Sequence, residues 1–69
     1  MNIRRMIDTV CAVQGISNGE LAARMGKKKQ SISKMKNQES VHPQTMKLLS
    51  DATEFPIHEL LKFAEEAES

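Results

Sequence analysis

With 69 residues the chain has room for one domain, 1–69, near the lower end of what folds without disulfides or metal. Two Pro, three Gly and no Trp or Tyr point to an all-α class; one Cys excludes an internal disulfide framework, and no apolar run approaches the ~20 residues of a spanning helix. The net charge of +1 hides a split: residues 1–36 carry eight Lys/Arg against Asp8 and Glu20, whereas residues 37–69 carry Lys47 and Lys62 against seven acids, so one face suits a polyanion and another is kept away from it.

Ile3, Met6, Ile7, Val10, Cys11 and Val13 recur at spacings of three and four, the apolar stripe of a first helix over residues 2–14. Gly15 stands where a helix-ending C′ residue belongs. Asp8, Thr9 and Gln14 interrupt any hydrophobic run after Arg4 and Arg5, so no signal peptide is expected. Arg4 and Arg5 fall off the stripe, and a phosphate contact and an ordinary surface charge fit them equally well. Cys11 reads as a buried thiol, because a nucleophile needs a base and an orienting group beside it.

From Ser17 to Asn37 the sequence SNGELAARMGKKKQSISKMKN predicts two short helices, about 18–25 and 29–36, joined at Gly26. Ser17 and Glu20 have the spacing of a reciprocal capping box, and Ile16 and Leu21 that of a hydrophobic staple. Ala22 permits close helix crossing, Gly26 permits a positive φ, and Leu21, Met25, Ile32 and Met35 supply the inward faces. This is a helix-turn-helix pattern. Lys28, Lys29, Gln30, Ser33 and Lys34 are left pointing outward, and these types suit the major groove: Lys donates to guanine O6/N7, Gln pairs bidentately with adenine, and Ser serves several edges. Lys27 and Lys36 add charge suited to DNA phosphates.

Asn37–Val41 is a polar connection. His42-Pro43 opens a fourth helix, Pro being tolerated at its first position, with Met46, Leu49 and Ala52 inward and Leu48 alongside. Thr53–Pro56 breaks it. A fifth helix follows from Ile57 to Ala67 on Ile57, Leu60, Leu61 and Ala64, with Phe63 beside that stripe and a tail over 66–69 expected to fray.

The arrangement Glu20-Leu21-Ala22, Gly26, Ser31-Ile32-Ser33 and Asn37, with the later Pro-x-Thr and His-Glu-Leu-Leu segments, resembles the Cro/repressor (lambda-type, XRE-like) helix-turn-helix family over residues 3–64. The resemblance implies a compact five-helix domain that binds operator DNA as a dimer through its third helix. Carried over by position, it puts phosphate contacts at Ser17, Asn18 and Asn37 and base reading at Lys28, Lys29, Gln30, Ser33 and Lys34. Three departures stand out. Lys27 occupies a position that is usually apolar, Lys28 replaces a Ser/Thr helix cap worth about 1 kcal/mol, and Gln38 stands where Gly often follows the Asn. The two lysines exchange local stability for charge.

The expected function is a sequence-specific regulator of double-stranded DNA, most simply a repressor acting as a homodimer, in the cytoplasm of a prokaryotic or phage-infected cell. Leu61 and Phe63 are the candidate dimer contact; completing the core would explain them nearly as well. The acidic second half also fits another class, an antitoxin-like or anti-repressor module that holds a protein partner. Single-stranded nucleic acid is disfavoured by the lack of aromatic platforms. Cys11, His42 and His58 have neither zinc-site spacing nor catalytic partners, so no enzyme, metal or cofactor is expected.

Overall fold

Ile3, Met6, Ile7, Val10 and Cys11 turn to one side of α1 (Ile3–Gln14), and that buried stripe is the wall on which the third and fifth helices are laid. In the computed structural model, which describes residues 2–65, the order continues with α2 (Asn18–Arg24), α3 (Lys29–Lys36), α4 (Pro43–Thr53) and α5 (Ile57–Glu65). The described residues form the expected all-α five-helix fold; the expected extension of the last helix to Ala67 and the fraying of 66–69 lie outside them. α1 packs against α3 and α5, α2 against α3 and α4, and α4 against α5. Met6, Ile7, Val10, Leu21, Ile32, Leu49 and Leu60 meet with no exposed surface, so every helix gives at least one side chain to a single core.

The helix ends follow from local chemistry. The Asn2 side chain accepts the Arg5 N–H at 3.0 Å to start α1, and the Asn2 N–H reaches the Ala64 carbonyl at 3.1 Å, tying the start of α1 to the end of α5. Gly15 closes α1 at φ +67°, a left-handed conformation that a Cβ would strain. Ser17 Oγ accepts the Glu20 N–H at 3.1 Å, but the reciprocal half of the capping box is not formed. Glu20 instead pairs with Arg24 one turn later at 3.2 Å, where opposite charge outweighs a neutral amide.

Other expectations are corrected at the rim of the core. Val13 is 62% exposed, because α1 ends one residue later and no helix passes over that side. Ile57, the first residue of α5, is likewise only partly covered, and Leu48 faces outward from α4. Phe55 and Phe63 pack against the core near the same helix, stacked edge to face with centroids 5.4 Å apart. Thr53 is buried although polar: its hydroxyl donates to the Leu49 carbonyl at 2.8 Å and lies 3.5 Å from the Phe55 N–H.

Candidate nucleic-acid interface

The site begins with the turn that aims α3. Gly26 adopts φ +71°, and its neighbour's N–H closes the turn onto the Ala22 carbonyl at 2.8 Å. Lys27 therefore does not loosen the turn. Its side chain is exposed at the edge of a cleft of about 190 Å³ that also includes Met35, Val41 and His42. Lys28 is the N-cap of α3 in extended conformation, and no side chain caps the helix, as expected from losing a hydroxyl there. At the other end Asn37 (φ −95°, ψ 1°) and Gln38 continue into ordinary turn hydrogen bonds, so the missing Gly costs nothing in backbone strain.

Ile32 and Met35 are buried beneath α3, and that anchorage decides which side chains face out. Lys28, Lys29, Gln30, Ser33 and Lys34 are all exposed, and among the described residues none of their side chains makes a hydrogen bond or ion pair within the protein. Eight residues at 1.5 Å each give a rod of roughly 12 Å, the width of a B-DNA major groove. Ser17 and Asn18 lie at the start of α2, where the amide groups of the first turn favour an anion. Asn18 Oδ1 lies 3.6 Å from the Cys11 sulfur, and burial raises the Cys11 thiol above its ordinary pKa. Cys11 is thus a buried thiol, as expected from its place on the stripe.

Two of the sequence-derived site residues are placed differently from the rest. Lys36 turns inward and pairs with Asp8 of α1 at 2.6 Å, its side chain only 12% exposed. Asn37 uses both ends of its amide within the protein: Oδ1 accepts from Arg4 Nη2 at 3.0 Å, and Nδ2 donates to the Ser33 carbonyl at 3.2 Å. Residue types and periodicity carry no signal for either tie, because the partners are 28 and 33 positions away and meet only when α1 docks on α3. Leu61 and Phe63 lie away from α3 and are half-buried against the core.

A helix-turn-helix family model matches residues 14–60, more than half of the chain and all of α2, α3 and α4. The chain belongs to the Cro/repressor, XRE-like helix-turn-helix family. Comparison with curated proteins and with solved structures found no match. Membership of this helix-turn-helix family makes the chain a DNA-binding transcription regulator. No helix among the described residues is long and apolar enough to cross a membrane, and no group of three or more His, Cys, Asp or Glu is assembled there.

Proposed function

We propose that this helix-turn-helix regulator is a Cro-like repressor that occupies a palindromic operator as a homodimer, with α3 lying in the major groove. The observation that carries the reading is the outer row of α3. Four of its exposed positions combine charge with an amide, Lys28, Lys29, Gln30 and Lys34, and none is engaged inside the protein among the described residues. Charge alone supplies affinity for any duplex, whereas an amide and a hydroxyl at Gln30 and Ser33 add base-edge discrimination. Ser17, Asn18 and Lys27 supply phosphate contacts on the flank of α3. Lys36 joins them only by exchanging Asp8 for phosphate. Leu61 and Phe63 present their uncovered portions to the second copy.

Dimerisation follows from information content. One eight-residue helix reads too few base pairs to find one site among many, and a two-fold pair doubles the reading at half-sites about one helical turn apart. Selection of bound sites from random duplex DNA by the purified protein tests this directly. The expected result is a palindromic consensus with half-site centres near 34 Å apart. Enrichment of no sequence would end the sequence-specific reading. A protein that binds no duplex at low salt but co-purifies with a partner is what the antitoxin-like alternative predicts.

A further inference from the structure

The C-terminal end of α3 poses an electrostatic problem for a helix in a DNA groove. That end carries the negative pole of the helix dipole, which repels the phosphates flanking that end of the groove. Lys36, the nearest cation in sequence, is already committed to Asp8. Asn37 is committed as well, to Arg4 and to the Ser33 carbonyl. Lys34, the other cation of the last turn, belongs to the outer row given to the base edges, which leaves Arg4, exposed on the first turn of α1 and without a carboxylate partner among the described residues, for the phosphate beside the helix exit.

We infer that Arg4 carries the phosphate contact at the exit of α3, and that Asn37 is a positioning residue which holds the guanidinium in place. The inference rests on the reading of α3 as a groove-bound helix. A guanidinium has five N–H donors in a rigid fork; one is used on Asn37 Oδ1, and the others remain for a phosphate oxygen pair. The second end of the Asn37 amide is bonded to Ser33, a residue of the reading helix itself. Arg4 is therefore fixed relative to α3 through two hydrogen bonds, although it belongs to α1. Such anchorage removes part of the side-chain ordering that a free surface Arg undergoes on binding. Glu39 lies on the same groove rim with Asn2, Arg4, Lys36 and Gln38, but makes no ion pair with Arg4, so the fork is not neutralised.

Phosphate contacts are independent of sequence, so the test needs no operator. Wild type, Arg4→Gln, Arg4→Lys, Asn37→Ala and the Arg4→Gln/Asn37→Ala double variant are titrated against a random-sequence duplex across a salt series. Arg4→Gln is expected to lower the slope of log Kobs against log salt by about 0.9 per bound protomer, and so by about 1.8 for a bound dimer, the signature of one lost phosphate contact on each copy. Arg4→Lys keeps that slope and recovers only part of the affinity, since a point charge lacks the fork. Asn37→Ala weakens binding in the wild-type background and adds nothing in the Arg4→Gln background. An unchanged salt slope in Arg4→Gln overturns the proposal, as do losses that multiply in the double variant, because Asn37 then touches the duplex itself. Failure of the wild type to bind any duplex overturns the groove-bound reading on which it rests.

Discussion

Gln30 and Lys27 are both exposed near the start of α3; the reading proposed above gives Gln30, whose amide can pair bidentately with adenine, a base contact and Lys27 a phosphate contact. Replacing Gln30 by Ala is expected to cost about 1–3 kcal/mol on a selected site and little on random duplex. Lys27→Ala is expected to weaken both alike, and competition binding on the two duplexes reads the difference. Cys11 gives a prediction of a different kind. Burial raises its thiol pKa above the ordinary 9.0, with Asp8 adding to the rise and Lys36 opposing it. An unfolded chain therefore loses the thiol proton first. The stability that this residue contributes is complete below the ordinary thiol range and falls as pH rises through the folded value. Urea unfolding on the alkaline side should show that fall in wild type and a shallower one in Cys11→Ala, and native protein should resist alkylation by thiol reagents.

At the scale of the element, two helix ends are left in less than their best form. Glu54 closes α4 in the left-handed region at φ +62°, where a side chain is strained and Gly is not. Glu54→Gly is expected to raise stability by up to about 1 kcal/mol in urea or thermal unfolding. Lys28 leaves the first turn of α3 uncapped. Lys28→Ser should stabilise the fold by about 1 kcal/mol while weakening duplex binding, and the opposite signs of the two effects would show charge placed at a helix start at the expense of stability. These ends also show what was legible in the amino-acid sequence. α3 was readable to the residue, because Ile32, Met35 and Gly26 have spacing that only a turn and a helix satisfy. Val13 and Ile57 misled because periodicity says which face a residue shares, not whether another element passes over it. Thr53 was missed because its hydroxyl is satisfied by its own helix, a bond that composition does not announce.

For the whole molecule, Lys and Arg are concentrated in the N-terminal half of the chain and acids in the second half, a split visible in the amino-acid sequence before any fold was known. What held the two halves together was not. The ties Arg4–Asn37 and Gln14–Thr53 span 33 and 39 positions, and single-sequence patterns carry no record of such pairings. The dimer proposed above belongs to this scale. Leu61→Lys, at a half-buried position, is expected to shift sedimentation toward the monomer and to lower affinity for a two-half-site duplex far more than for a single half-site. Equal losses on both duplexes would remove Leu61 from the contact.

The amide of Gln14 touches three helices at once. Its Nε2 donates to the Thr53 carbonyl at 2.6 Å, closing the end of α4, and its Oε1 accepts from Arg24 Nη1 at 2.8 Å, at the end of α2. A single side chain on α1 thus works like a rivet through overlapping plates. Gln14→Glu would leave the shank in place but reverse one head, since a carboxylate still holds Arg24 and repels the Thr53 carbonyl. α3 follows α2 through their shared turn, so on the reading proposed above a bond made at the end of α2 bears on how firmly α3 is held against a duplex.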